Sequence, residues 1–274
     1  MKKILVPTDF SKQAEYALKV AAQLAKKHKS EIYLLHMLEL PLNLVDAANN
    51  GGNLPESIFF MKLAHKRFKE VLSADYLKGV TVYETVQFQE AFDGIIDEAN
   101  KHQVDLIVMG SHGASGFKEM FIGSNTEKVV RTSNIPVLVI KNEHAKFSIN
   151  NFVFATDFSD ECKKPFKEAI KFAEAVGATL HLLFVNTATN FMTTMEAHEI
   201  MGKFMKGIEV KSHTLNIYND TSVEKGVLNF SQSINADLIG MATHGRKGLS
   251  HFFNGSVSED LVNHAKRPVV TFKI

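Results

Sequence analysis

The residues best suited to chemistry in this chain lie on two glycine-spaced stretches. In "VMGSHGASGFKEMFIGSNTEKV", Val108 to Val129, Gly110 and Gly113 stand three apart, and nine residues then lead to Gly123-Ser124. Glycine lets a backbone approach a ligand closely or take a positive φ. A helix opening at Gly123-Ser124 would present unbonded N–H groups and the positive end of its dipole, a setting that suits phosphate. The arrangement returns at Met241 to Val262, "MATHGRKGLSHFFNGSVSEDLV". Asp9 and Asp157 stand in "ILVPTDFS" and "FVFATDFS". A carboxylate there serves equally as a ribose or Mg²⁺ ligand or as the cap of the next helix. His112 and His244 recur inside the loops, either as phosphate donors or as packed side chains. Ser124 to Glu127 and Ser256 to Glu259 also read as capping boxes, which many helices carry without binding anything.

Other chemistries find less footing. Neither the G-x-x-x-x-G-K-[ST] loop nor the G-x-G-x-x-G fingerprint occurs. His198-Glu199 begins like a zinc-protease helix, but Gly202 holds the place of the second histidine. The histidines otherwise lack ligand spacing, and with one cysteine, Cys162, there is neither an internal disulfide nor a CxxC pair. A buried, inert thiol in a reducing compartment is the reading of Cys162. No residue presents itself for positioning an attacking water.

The elements that must hold these residues follow from periodicity. "KILVP", "EIYLLHML", "VTVYETV", "DLIVMG" and "PVLVI" read as strands. Helical stretches separate them: one opened by Ser11, one around Phe59 to Ala74, then "AFDGIIDEANKH" and "SNTEKVVRTS". Alternating helices and continuous apolar strands predict a parallel sheet covered on both faces. In such sheets ligands bind beyond the carboxyl ends of the strands, where the strand order reverses. Thr8-Asp9, the end of strand two and the Gly110–Gly123 loop all reach that edge.

The whole pattern occurs twice. "ILVPTDFS" matches "FVFATDFS", "DLIVMGSHG" matches "DLIGMATHG", and "FIGSNTEKVVRTSNIPVLVIK" matches "FNGSVSEDLVNHAKRPVVTFK". This predicts two tandem doubly wound α/β domains, 1–141 and 151–274, joined by a linker at 142–150. Ile4 and Phe152 are 148 residues apart and Asp105 and Asp237 are 132 apart, so repeat one carries 16 extra residues. "LPLNLVDAANNGGNLPES", Leu40 to Ser57, accommodates them as a mobile lid or as plain surface.

Composition is that of an ordinary globular protein: 45% apolar, 22% charged and a net charge of +1 across 274 residues. That balance gives no cue for nucleic acid or membrane as partner. The N-terminal apolar run is too short for a signal-peptide core and no 18-residue apolar run occurs, so the expected location is cytoplasmic. Phe59, Phe60, Met61 and Phe68 are expected in the core or under a lid. The Met-rich stretch Phe191 to Met205 is expected on a buried helix face.

The spacing Gly, two residues, Gly, nine residues, Gly-Ser resembles the nucleotide-binding motif of the ATP-binding universal stress proteins, and "ILVPTDFS" and "LLHM" are similar to the same family. The likeness covers nearly the whole chain as two tandem copies. It implies five parallel strands per domain in the order 3-2-1-4-5, and an adenine nucleotide: ATP, or AMP or ADP, with Mg²⁺ on its phosphates. By resemblance, Pro7, Thr8 and Asp9 meet the adenosine and Met37 faces the adenine. Met109, Gly110, His112 and Gly113 lie along the ribose and phosphates, and Gly123, Ser124, Asn125 and Thr126 hold the phosphates. Repeat two departs from the motif, with Ala242 for the first glycine and Ala155 for the proline. Its site, Thr156, Asp157, Val185, Ala242, His244, Gly245, Gly255, Ser256, Val257 and Ser258, is therefore the weaker one. Arg246 and Lys247 in its loop suit either a different anionic ligand or plain solvated surface, the latter being preferred. The family pairs through its last strand, so "PVLVI" and "PVVTF" are expected to pair within the chain, with a homodimer and an unidentified protein partner as further expectations. The implied function is a stress-response regulator acting through conformation or partners. A slow ATPase or phosphotransferase, and a scaffold with degenerate sites, are the alternatives.

Overall fold

The structure, a computed structural model, describes residues 1–38, 54–88, 90–112, 122–243 and 255–274, without the side chains of 54–57 and 255–259. The glycine-loop residues Gly113, His244 and Gly245, and most of the Leu40–Ser57 insertion, lie outside it. The chain divides into two compact units. The first holds the described residues up to His112 together with 123–129 and 140–147. The second holds Ile122, 130–139 and the described residues from Ser148 onward.

In the first unit, β1 (Lys3–Pro7), β2 (Glu31–Met37), β3 (Thr81–Gln87) and β4 (Leu106–Gly110) form parallel pairs in the order β3-β2-β1-β4. The strands run where periodicity places them because their apolar residues are almost continuous. Ile4, Leu5, Val6, Leu34, Leu35, Leu106, Ile107 and Val108 are all buried. α1 (Lys12–His28) starts at Ser11, whose hydroxyl accepts the Ala14 N–H, and lies against β1 and β4. α2 (Leu54–Leu72) starts five residues before the periodicity suggests. Pro55 is no obstacle, because first-turn N–H groups need no intrahelical acceptor. α3 (Ala91–His102) and α4 (Ser124–Thr132) match the expected stretches.

The second unit contains β6 (Asn151–Ala155), β7 (Thr179–Asn186), β8 (His213–Asn219), β9 (Leu238–Thr243) and β10 (Val269–Lys273). Its parallel pairs run β10-β9-β6-β7-β8, which is 3-2-1-4-5 read in the repeat's own numbering. β5 (Val137–Ile140), the last strand of repeat one, joins this unit. It pairs antiparallel with β10, with Val139 opposite Val269 and Val137 opposite Thr271. The helices are α5 (Lys163–Val176), α6 (Thr194–Met205), α7 (Val223–Ser233) and α8 (Gly255–His264).

Several expectations are corrected. Phe68 is fully buried, but Phe59, Phe60 and Met61 are exposed, Phe59 to 62%. On α6, Ala197, Met201 and Phe204 are buried as expected, whereas Phe191 and Met195 face solvent. Ser124 is not an N-cap: the Glu127 N–H reaches the Gly123 carbonyl at 3.0 Å, so helical bonding begins at Gly123 and Ser124 is already helical. Among the described residues a capping box forms at Thr193 with Glu196, and the side chains of Ser256 to Glu259 lie outside them. Cys162 is buried, its Sγ 3.2 Å from Asp157 Oδ1, and burial pushes its thiol up to about 11, which keeps it unreactive. Among the described residues no helix is long and apolar enough to cross a membrane.

The start of the expected linker is tied to α1. Lys19 pairs with Glu143 at 2.6 Å, the Gln23 amide donates to the His144 carbonyl, and the Phe147 N–H donates to Gln23 Oε1. His144 Nε2 is buried without a hydrogen-bond partner, and burial holds this imidazole below its usual range. His28, His112 and His181 are lowered in the same way, burial being the largest cause for each. Between the depressed native values and about 6.5, the unfolded chain binds more protons than the native one. Stability contributed by these groups is therefore complete above about pH 6.5 and is lost as pH falls. Thermal unfolding followed from pH 7.5 to 5.5 should show a falling midpoint, and His144→Gln should flatten that slope. An unchanged slope in the variant would contradict the assignment.

Candidate functional site

The carboxyl ends of β1, β2 and β4 meet at one edge of the first unit, with β1 between the other two. The chain leaves β1 through a tight turn. Thr8 Oγ1 accepts the Phe10 N–H at 3.0 Å and Asp9 Oδ1 accepts the Ser11 N–H at 3.0 Å. Phe10 sits at φ 63°, a left-handed conformation that is unusual for a bulky residue. Its ring is held 4.6 Å from His36 and 5.2 Å from Phe68, and His36 Nδ1 lies 2.8 Å from the Thr8 carbonyl oxygen. The turn thus delivers α1 directly behind β1, aimed at the end of β4.

Gly110 is the residue that meets it. A Cβ at this position would lie 2.7 Å from both the carbonyl carbon and the oxygen of Gln13, and 3.0 Å from the Ala14 nitrogen. Glycine is required here for the approach of a helix backbone rather than for a left-handed φ. The neighbouring groups are locked in turn. The Ser111 N–H donates to the Ile140 carbonyl, the Gly123 N–H donates to the Ser111 carbonyl at 2.7 Å, and Thr126 Oγ1 donates to the Gly110 carbonyl at 3.0 Å. These bonds hold the first turn of α4 across from the end of β1.

The result is a cleft of about 360 Å³ lined by Pro7, Thr8, Asp9, Met37, Met109, Gly110, His112, Gly123, Ser124, Asn125 and Thr126. All residues expected for the first site are therefore together, apart from Gly113, which lies outside the described residues. Ala14, Leu35, Ala91 and Ile95 complete the lining. Sequence reasoning missed these four because they are ordinary helix and strand apolars. The periodicity that buries their neighbours was the available signal.

The cleft has two characters. Leu35, Met37, Ala91, Ile95 and Met109 give it apolar walls. At α4 the helix supplies no acceptor for the N–H groups of Ser124, Asn125 and Thr126, and its dipole is positive there. His112 Nδ1 lies 2.9 Å from Ser111 Oγ, while its Nε2 is buried with no hydrogen-bond partner among the described residues. Burial, with the charge of Lys141, lowers the His112 pKa. Lys141 itself is pushed down to about 8 by burial. Among the described residues no group of three or more His, Cys, Asp or Glu side chains gathers to hold a metal.

Repeat two builds the same turn but a different edge. Thr156 Oγ1 accepts from Phe158, Asp157 Oδ1 accepts from Ser159, and Phe158 takes φ 59°. Ala242, however, stands where Gly110 stands in repeat one. With a methyl group there, the stretch equivalent to the start of α1 is a 3-10 turn, Asp160–Cys162, and α5 begins only at Lys163. Ala155, Thr156, Val185 and Ala242 are all buried, whereas Pro7, Thr8, Met37 and Gly110 are each partly open. Val185 is pressed against α7, where a Cβ on Gly226 would meet its Cγ1 at 2.4 Å. The Asn186 side chain clamps the following loop, donating to the Met192 carbonyl and accepting the Met192 N–H. Gly255, Ser256, Val257 and Ser258 lie at the start of α8, and their side chains are outside the described set.

With this geometry in place, comparison with known proteins is specific. The universal stress protein family model matches residues 1–141 and again 148–273, so the chain belongs to that family and carries two of its domains. A universal stress protein of Methanocaldococcus jannaschii is 32% identical over 157 residues, covering 53% of this chain and 97% of its own. One from Synechocystis is 25% identical over 293 residues and spans both chains completely. The crystal structure of a universal stress protein from Archaeoglobus fulgidus superposes with a TM-score of 0.74 at 23% identity, covering 99% of this chain and 98% of that one, a likeness of fold.

The Gly110 contact gives a direct test. Gly110→Ala forces the α1 backbone and β4 apart, an overpacking expected to cost about 1–3 kcal/mol. Urea unfolding should show a lower midpoint, and an unshifted midpoint would refute the contact.

Proposed function

We propose that the cleft of the first unit binds an adenine nucleotide, chiefly ATP, and that its occupancy serves a regulatory role through conformation or partners. The observation that carries this reading is the convergence of the glycine-spaced residues on one cleft at the strand-order reversal. That cleft has apolar walls at one end and the opening turn of α4 at the other. Its volume falls within the range of about 300–1,000 Å³ usual for small-molecule sites. The base and ribose would occupy the apolar part, by Met37, Leu35 and Ile95. The phosphates would take the N–H groups of Asn125 and Thr126, with His112 lining the same end of the cleft. Mg²⁺ would enter with the phosphates. Gly113, the second glycine of the motif, is assigned to the phosphate end by resemblance.

The second unit is proposed as the weaker site, because its corresponding strand-end residues are buried and Ala242 replaces glycine. Binding, rather than hydrolysis, is the reading, since Asp9 Oδ1 is engaged in the turn that starts α1.

Calorimetric titration of ATP with Mg²⁺ into nucleotide-stripped protein tests this, with AMP run in parallel. Micromolar binding, about −8 kcal/mol, is expected. Gly113→Val should abolish it without shifting the unfolding midpoint, and Gly245→Val should have a smaller effect. Equal affinity in Gly113→Val and wild type would remove the site assignment. The absence of any nucleotide binding would favour the scaffold reading.

A further inference from the structure

α2 is held to the fold by a narrow line of residues. From Ile58 to Glu70, only Ala64 and Phe68 are buried. Ile58, Phe59, Phe60, Met61 and Leu63 are all exposed large apolars, Phe59 to 62%. Surface apolars are common singly, but a contiguous group marks a contact surface. The same stretch carries Lys62, Lys66, Arg67 and Lys69 against one acid, Glu70. The ion pairs of this face join Arg67 to Glu70 at 3.5 Å and His65 to Glu84 at 3.2 Å. The whole-chain charge of +1 conceals this cluster.

The internal repeat shows that the fold does not require such a surface. Phe204 on α6 stands edge-on to Phe158 at 5.2 Å, as Phe68 on α2 stands to Phe10. The two helices therefore occupy the same place in their units. Yet α6 carries Glu196, Glu199 and Lys203 rather than a basic cluster, and its exposed Met195 stands beside Glu196.

We propose that the Ile58–Lys69 stretch of α2 docks the protein on an anionic lipid surface, with Ile58, Phe59 and Leu63 entering the headgroup region and Lys62, Lys66 and Lys69 meeting lipid phosphates. Apolar aromatics beside lysines on one helix are the composition of an interfacial helix. Charge argues against a second copy as occupant, because a two-fold contact would set this basic face against itself. Composition argues against a protein groove. Opposite the buried line of Ala64 and Phe68, helix periodicity places Phe59 and Leu63 together with Lys62 and Lys66, so an occupant must take apolar side chains and several cations side by side, as a phosphate-bearing headgroup layer does.

The test is co-sedimentation of the full chain with vesicles of equal phosphatidylglycerol and phosphatidylcholine, against pure phosphatidylcholine. Binding to the anionic vesicles alone is expected, weakened by salt. Ile58→Ser with Phe59→Ser, and separately Lys62→Glu with Lys66→Glu, should each reduce it by at least about tenfold with an unchanged thermal midpoint. Met195→Ser should leave it intact. Equal binding to neutral vesicles, no binding to anionic ones, or an equal loss from Met195→Ser would overturn the proposal. So would self-association abolished by the Phe59 variant without vesicle binding, which would assign the patch to a second copy.

Discussion

The first unit is organised around one close contact, the backbone of α1 at Gln13 and Ala14 lying against Gly110. A helix backbone can lie that near the end of a strand only where no side chain intervenes. The contact fixes the end of β4 relative to β1, and with it the crevice in which the chain reverses strand order. The Gly110 carbonyl then anchors Thr126, and the Ser111 carbonyl anchors the Gly123 N–H. The opening turn of α4 is thereby set beside the end of β1. The motif glycine acts through the scaffold; the open cleft is its consequence.

In the second repeat this contact is altered, and the strand edge alters with it. Most of the turn after β6 survives, down to a left-handed phenylalanine stabilised by aromatic packing. Ala242 accompanies a 3-10 first turn, and the edge closes over Thr156 and Val185. Among the described residues, the same topology therefore leaves the strand ends partly open in the first unit and buried in the second. Divergence lies in residues that decide access, while the sheet that carries them keeps its order.

Much of this is readable in the sequence because it rests on strong periodic signals. Continuous apolar runs locate β1, β2, β4 and β5, and the helix at Ala91–His102 matches its periodic stretch to the residue. The cleft follows because glycine spacing and strand ends depend on local sequence. Features set by tertiary contact escape such a reading. The start of α2 lies five residues before the periodic stretch, because a first turn that carries Pro55 shows no apolar repeat. Ser124 has the residue type of a cap, but the chain turns one residue earlier, at Gly123. Ala14, Leu35, Ala91 and Ile95 have no signature beyond being apolar. The exposure of Phe59 has no sequence signal, because hydrophobic character alone does not say which side of a helix finds a partner. The reason for Gly110 is equally hidden, since the colliding atoms belong to a helix nearly a hundred residues away.

Whether ligand binding belongs to the open edge of the first unit can be decided by amide hydrogen exchange with and without ATP and Mg²⁺. Slowed exchange is expected at Thr8 to Ala14, Met109 to His112 and Ser124 to Thr126, with Thr156 to Phe158 and Met241 to Thr243 little changed. Protection confined to the second-unit segments, or no protection under saturating nucleotide, would contradict that assignment.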